Sequence, residues 1–127
     1  MRVAVVGAGA IGCFLGARLS EKGHEITLVG RPDQVDAIGE SGLLLTDPRG
    51  DARRYHLSTV RSLAERPDLV LLTVKTQDVA QACHDIGPYV AGVPVVAMQN
   101  GIQGDHLAAE VLGREAVVGA VVMCAAS

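Results

Sequence analysis

The residues of this chain that could take part in chemistry lie directly after its short apolar runs. A glycine turn, Gly7-Ala8-Gly9-Ala10-Ile11-Gly12, follows the first run, and polar or charged residues follow the later ones. In an open α/β sheet, ligands bind outside the carboxyl ends of the strands. We therefore expect one site to combine the glycine turn with four further segments: Gly30-Arg31, Thr73-Val74-Lys75, Gln99-Asn100-Gly101 and Cys124-Ala125-Ala126.

The glycine turn has the pattern GxGxxG, which is informative only in the right context. Here residues 3–6 before it are apolar, as in a buried strand, and the apolar residues over 11–19 have helical spacing. Gly7 would allow a tight turn, Gly9 would leave room for a pyrophosphate beside the backbone, and Gly12 would let the helix pack closely. The N–H groups that begin the helix would face the phosphates. The alternative is a glycine-rich turn in an ordinary α/β domain.

The residue after the second apolar run bears on the choice of cofactor. The run at 25–29 ends at Gly30-Arg31, and Asp33 lies beyond Pro32. A domain of this type that binds NAD usually has Asp or Glu at this point, where the carboxylate bonds the ribose 2′-hydroxyl. An arginine instead suits a 2′-phosphate, because its planar guanidinium pairs with phosphate. The sequence therefore predicts NADP, with a solvated loop arginine as the alternative.

Two later residues could act near the reacting end of such a cofactor. Lys75 would place a positive charge at a strand end, within reach of the nicotinamide ribose or a substrate oxygen. Asn100 offers both a donor and an acceptor. The alternatives are an exposed loop lysine and a plain Asn-Gly turn.

Length and composition limit the remaining possibilities. The 127 residues suit one domain, and the chain is 49% apolar but only 2% aromatic, so its core must be aliphatic, as in buried parallel sheets. A net charge of −3 without a basic block argues against a nucleic-acid partner. No apolar window is long enough for a membrane span, and the first run is too short for a signal peptide. Three scattered cysteines predict free thiols, a cytoplasmic location and no metal site.

Hydrophobic periodicity predicts alternating strands and helices. We expect a Rossmann-type, doubly wound, mostly parallel sheet with helices on both faces, and a hairpin at the edge of the sheet that turns at 47–50. The predicted strands cover residues 2–6, 25–29, 43–46, 53–57, 68–74, 93–98 and 116–123. The predicted helices cover 10–22, 32–40 and 104–112, with one more that carries Val79, Ala82, Cys83 and Ile86.

Taken together, several of these segments resemble ketopantoate reductases (2-dehydropantoate 2-reductases), and the resemblance covers the whole chain. It is carried by GAGAIG at 7–12, Gly30-Arg31, TVKT at 73–76, QNG at 99–101 and GAVVMCAA at 119–126. The glycine pattern is widely shared among enzymes, whereas the combination of the lysine and the Gln-Asn-Gly segment is much more specific.

The resemblance implies that this chain is an N-terminal domain that binds NADPH. The family reduces 2-dehydropantoate to pantoate, a step toward pantothenate and coenzyme A, by hydride transfer to the keto carbon. The resemblance assigns Arg31 to the 2′-phosphate and places Lys75 and Asn100 beside cofactor and substrate. Family members also have a helical C-terminal domain, which supplies a general-acid lysine and a glutamate that helps to hold the substrate.

No counterpart of that C-terminal domain is present in these 127 residues, so we expect an isolated cofactor domain that is inactive alone. Two other functions stay open at this point. One is a non-catalytic module that binds NADP, senses redox state or joins another chain. The other is a related dehydrogenase that acts on a different 2-keto acid, a hydroxy acid, an opine or an acyl-CoA derivative.

Overall fold

The computed structural model describes residues 1–46, 48–99 and 117–121. These residues form strands and α-helices in an alternating order that a hairpin interrupts. The elements are β1 (Arg2–Val6), α1 (Ala10–Glu21), β2 (Glu25–Val29), α2 (Pro32–Ser41), β3 (Leu43–Thr46), β4 (Ala52–Tyr55), β5 (Ser58–Val60), β6 (Leu69–Leu72), α3 (Val79–Ile86), β7 (Val95–Gln99) and β8 (Val117–Val121).

Six of the strands form one parallel sheet, in the order β5-β2-β1-β6-β7-β8. If the β3–β4 hairpin is left aside, this is the strand order of a dinucleotide-binding Rossmann domain. The order reverses between β1 and β6, and a crevice opens at such a switch point. The fold is therefore the Rossmann-like α/β fold that the sequence predicts.

The sheet is covered on both faces, which explains its continuous aliphatic strands. Val3, Ala4, Val5 and Val6 of β1 are all buried. On one face, α3 contributes Val79, Cys83 and Ile86 to a core that includes β6 and β7. On the other face, α1 and α2 contribute Cys13 and Val35 to a second core. Both cores include residues of β1 and β6, so these central strands are buried on both faces.

Helix boundaries agree closely with the residue types at the ends. Pro32 is the first residue of α2, where its fixed φ suits a helix and no N–H is wasted. Gly42 ends that helix with a φ of +82°, a conformation that glycine adopts without strain. The predicted helix at 104–112 lies outside the described residues.

The hairpin is confirmed, but its predicted place in the sheet is wrong. β3 and β4 pair antiparallel in a separate two-stranded sheet, while β5 occupies the edge of the main sheet beside β2. The predicted return strand at 53–57 ends at Tyr55, and the chain then starts β5 at Ser58. A strand of three residues with two polar side chains gives too weak a periodic signal to be separated from the hairpin.

The hairpin is fastened to the C-terminal end of α1. The Tyr55 hydroxyl donates a hydrogen bond to the Glu21 carboxylate, and the Arg53 guanidinium lies 3.1 Å from the same carboxylate. Arg53 also stacks over the Tyr55 ring, with its guanidinium carbon 5.2 Å from the ring centre. Both Arg53 and Arg54 are exposed at the hairpin.

Among the described residues, no helix combines the length and apolar character that a membrane span requires. Cys13 and Cys83 are buried free thiols.

Candidate functional site

A cavity of about 420 Å³ opens at the carboxyl ends of β1, β2 and β6. This volume is in the range of small-molecule and cofactor sites. Three of the segments that the sequence analysis singled out meet there. They contribute Gly7, Gly9, Gly30, Arg31, Thr73, Val74 and Lys75 to the lining.

The backbone of the glycine turn leaves no room for side chains at two of its positions. Gly7 has a φ of +114°, and a Cβ atom there would lie 2.8 Å from the backbone nitrogen of Val74. A Cβ on Gly12 would collide with the carbonyl oxygen of Gly7 and would lie 2.7 Å from the Thr73 hydroxyl oxygen. These contacts account for the tight turn and the close helix packing expected of the two residues.

Gly9 differs from both, because a Cβ added to it would meet no atom within 4 Å. Its φ of −82° is also open to any residue. The space beside Gly9 is therefore part of the cavity, as a site for a pyrophosphate requires.

The rest of the glycine turn leads into α1. Gly9 precedes the helix, and the first helical hydrogen bond runs from the Cys13 N–H to the Gly9 carbonyl, at 2.9 Å. The N–H groups of the first turn precede any intrahelical acceptor, so they are available to a ligand at this end. Ala8 is buried, Ala10 is exposed and Ile11 is half-buried.

Thr73, which was predicted to contact the cofactor, lines the cavity, and its hydroxyl also contacts the backbone of the glycine turn. Its hydroxyl oxygen lies 2.8 Å from the Gly7 carbonyl oxygen and 3.2 Å from that of Val6. Its backbone N–H donates to Val6 O at 2.8 Å. Thr73 thus holds the end of β6 against the glycine turn.

Arg31 lies at one end of the cavity, immediately before α2. Its carbonyl accepts hydrogen bonds from the N–H groups of Gln34 and Val35, at 2.9 and 3.0 Å, so its backbone is fixed. Its side chain is 71% exposed, and its Nε lies 3.8 Å from an Asp33 oxygen, too far for a hydrogen bond. The sequence analysis set Asp33 aside as lying beyond Pro32, whereas the structure puts its carboxylate next to the Arg31 guanidinium.

A second arginine, Arg61, lines the same end of the cavity, and the sequence analysis missed it. Its Nη2 and Nε donate to the two Asp36 carboxylate oxygens, at 2.6 and 3.3 Å. The hydrogen bonds to this carboxylate raise the pKa of Arg61 above its ordinary value. The signal that could have found it is its position directly after β5, the strand that the sequence did not resolve.

The opposite wall of the cavity is acidic. The residues Asp78, Gln81 and Asp85 of the segment containing α3 line it, and the Gln81 amide donates to an Asp85 oxygen at 2.9 Å. None of these three was predicted as a site residue. The cavity is therefore electrostatically asymmetric, with two arginines near α2 and two carboxylates near α3.

Lys75 is exposed and is one of the residues that line the cavity. Its carbonyl accepts a hydrogen bond from the Asp78 N–H at 2.8 Å, which fixes the backbone there. Asn100, Gly101 and Ala125, the other predicted site residues, lie outside the described residues. Within the described part of the chain, no group of three or more potential metal ligands was found.

Comparison with known proteins agrees with this geometry. The family model of the ketopantoate reductase PanE/ApbA matches residues 3–127. The chain belongs to the ketopantoate reductase family. This is an oxidoreductase family, as the sequence resemblance implied.

Individual relatives support the assignment. The chain is 33% identical over 114 residues to the 2-dehydropantoate 2-reductase of Pyrococcus abyssi, covering 90% of this chain and 38% of that protein. It is 35% identical over 108 residues to the enzyme of the same name from Lactococcus lactis, covering 80% of this chain and 34% of that protein. The chain thus spans little more than a third of the length of these curated relatives.

Solved structures of oxidoreductases share the fold of this chain. The ketopantoate reductase of Ralstonia eutropha superimposes with a TM-score of 0.84 at 31% identity, over 95% of this chain and 40% of that one. A D-mandelate dehydrogenase in complex with NADH and anilino(oxo)acetate gives a TM-score of 0.87 at 26% identity, over 97% of this chain and 41% of that one.

Proposed function

We propose that this chain is the NADPH-binding domain of an oxidoreductase that reduces the keto group of 2-dehydropantoate. The observation that carries the proposal is the composition of the cavity. Open space beside Gly9 lies in the same cleft as an exposed arginine after β2 and an exposed lysine after β6. This is the arrangement that a long ligand with several phosphates would need.

The residues present fit such a ligand in three places. The glycine turn and the start of α1 would hold the pyrophosphate by N–H groups and by the helix dipole. Arg31 would pair with the 2′-phosphate, since guanidinium groups bind phosphate through a planar fork. Lys75 would bind a ribose hydroxyl or a substrate oxygen, and the family resemblance assigns Asn100 to the cofactor and substrate as well.

When bound, NADPH supplies the hydride, and the protein orients it. The residues of this chain would do the positioning: the turn fixes the phosphates, and Lys75 offers a positive charge toward developing negative charge on the substrate oxygen. Because the chain spans about 38% of a relative's length, the substrate, the general acid and a helical partner domain are proposals for the whole protein. We place that protein in the cytoplasm, in pantothenate synthesis.

A second candidate function is favoured by one specific comparison. The D-mandelate dehydrogenase that shares this fold at 26% identity was solved with NADH and anilino(oxo)acetate. On that basis the chain could belong to a dehydrogenase that uses NADH and acts on another 2-keto or 2-hydroxy acid. Cofactor preference separates the two candidates.

The test is a calorimetric titration of the chain with NADPH and with NADH, repeated with Arg31→Ala. We expect NADPH to bind about tenfold or more tightly than NADH, because a charge-assisted hydrogen bond to the 2′-phosphate is worth about 1.5–3 kcal/mol. Arg31→Ala should lower the affinity for NADPH and leave that for NADH unchanged. Equal affinities for both cofactors in the wild type would favour the second candidate, and no binding of either would overturn both.

A further inference from the structure

We infer that Arg61 is a second cation at the site of the ribose 2′-phosphate, and that it determines, together with Arg31, the preference for NADPH. The inference rests on the proposed function and deepens it. It concerns a residue that neither the sequence pattern nor the family resemblance assigned to the site.

The first support is the register of the sheet. β5 pairs parallel with β2, with Val60 opposite Val29, and the Gly30 N–H donates to the Val60 carbonyl at 3.2 Å. Gly30 follows Val29 at the end of β2, and Arg61 follows Val60 at the end of β5. Both segments therefore leave the sheet at the same level. Arg61 therefore enters the cavity beside the Gly30-Arg31 segment.

The second support is the way in which Asp36 holds the Arg61 guanidinium. The two hydrogen bonds, from Nη2 at 2.6 Å and from Nε at 3.3 Å, fix one edge of the planar group. A guanidinium has five N–H donors, so this pairing leaves both donors of Nη1 and one of Nη2 for a ligand. A side chain that is already fixed loses less conformational entropy when a ligand binds.

The third support is charge. A phosphate monoester carries a charge of about −1.5 to −2 near neutral pH. Asp33 offsets part of the Arg31 charge, at 3.8 Å, and Asp36 offsets part of the Arg61 charge, at 2.6 Å, so neither arginine alone matches the charge of the phosphate. On the α3 side, Asp78 and Asp85 would repel an anion. Among the described residues that line the cavity, two arginines come together at the start of α2 and the end of β5, and this is where the 2′-phosphate should lie.

The effect of removing Arg61 should be specific to one cofactor. NADH has a neutral 2′-hydroxyl at this position, which gains much less from a guanidinium than a phosphate does. We expect Arg61→Ala to weaken NADPH binding by about tenfold and to change NADH binding by less than about twofold. Arg61→Lys keeps the charge but cannot form the fork with Asp36, so its loss should be intermediate.

The experiment titrates the chain with NADPH, NADH and adenosine 2′,5′-bisphosphate. The variants are Arg61→Ala, Arg61→Lys, Arg31→Ala and the control Arg2→Ala. Arg2 is a matched control, because its side chain is 63% exposed, against 64% for Arg61, and it pairs with Glu25 at the opposite end of the sheet. Exposed pairs of this kind contribute little to stability, so every variant should fold.

The expected result is that Arg61→Ala loses NADPH and bisphosphate affinity but retains NADH affinity, while Arg2→Ala matches the wild type. If Arg61→Ala and Arg61→Lys keep the wild-type ratio of NADPH to NADH affinity and Arg31→Ala loses it, the role of Arg61 is refuted and the NADPH proposal stands. A wild type without preference for NADPH overturns both.

Discussion

The Thr73 hydroxyl oxygen lies 2.8 Å from the carbonyl oxygen of Gly7 and thereby joins the end of β6 to the glycine turn. The same oxygen limits the space at Gly12, where an added Cβ would approach it to 2.7 Å. The shape of the turn thus depends on a side chain that is distant from it in sequence. Removing the hydroxyl should therefore disturb the turn.

We predict that Thr73→Val lowers the free energy of unfolding by about 1 kcal/mol, because the Gly7 carbonyl loses a hydrogen-bond donor. Binding of NADPH should weaken as well. Thr73→Ser keeps the hydroxyl and is the matched control. Urea unfolding followed by circular dichroism measures the difference, and a Val variant as stable as the Ser variant would contradict the role assigned to this bond.

Two glycines of the turn should respond in opposite ways to the same substitution. Gly12→Ala should destabilise the fold by about 1–3 kcal/mol, since the new methyl group overlaps the Gly7 carbonyl in a packed region. Gly9→Ala meets no neighbouring atom and should leave the melting temperature unchanged or slightly raised. The comparison needs only thermal melts of the two purified variants without ligand.

The same melts with NADPH test the place of the pyrophosphate. A ligand that binds only the folded state raises the melting temperature. Gly9→Ala should reduce that increase, and the bulkier Gly9→Val should abolish it. Gly87→Ala is the matched control, because its added Cβ also meets open space and Gly87 is not one of the residues that line the cavity. A Gly9→Val variant that NADPH still stabilises fully would place the cofactor elsewhere.

Acid should loosen the contact between the hairpin and α1. The hydrogen bond from Tyr55, followed by the charges of Arg18 and Arg53, holds the pKa of Glu21 below its ordinary value. A carboxyl with a lowered pKa stabilises the folded state above its ordinary pKa, and this contribution is lost as pH falls through the lowered value. We expect Glu21→Gln to melt below the wild type at about pH 6, and the difference in melting temperature to shrink steadily as pH falls below the ordinary glutamate pKa of about 4.3. Glu40→Gln, at an exposed carboxyl of α2, serves as control. A Glu21→Gln deficit that does not shrink as the pH is lowered would contradict the prediction.

Cys83 should be chemically inert in the folded chain. It is completely buried, and burial raises the pKa of its thiol to about 11, so almost no thiolate forms at neutral pH. Burial raises the pKa of the Cys13 thiol as well. Treatment with iodoacetamide followed by peptide mass spectrometry should find both cysteines unmodified under native conditions and alkylated in denaturant. Native alkylation of Cys83 would show that α3 opens readily.

The strands that could be predicted from the sequence are those with an unambiguous pattern. β1 and β2 occur over the predicted residues, because each is an aliphatic run bounded by a glycine turn. The predicted strand at 68–74 is longer than β6, which ends at Leu72. The prediction included Thr73 and Val74 because both are β-branched, but in the structure they follow the strand. Residue type indicates burial there, whereas only the pairing with β1 sets where the strand ends.

The site could be predicted only in part, for a related reason. Arg31 and Lys75 follow strong strands, and the structure brings both to one cavity with the glycine turn. Arg61 follows a strand of three residues whose only distinguishing feature is its partner, β2. Asp78, directly before α3, and Asp85, within it, likewise belong to the site only through the packing of that helix, which the sequence pattern does not specify.

The position of the β3–β4 hairpin also matters for engineering the molecule. The hairpin shares no ladder with the main sheet in the described part of the chain, and it rests on Glu21, about 18 Å along α1 from the glycine turn. Lengthening a loop costs only about 0.6 kcal/mol for each doubling. The exposed bend at residues 48–50 is therefore a suitable attachment point for a fluorescent reporter or a foreign peptide. An insertion there would leave the strand register of the main sheet and the ligand cavity intact.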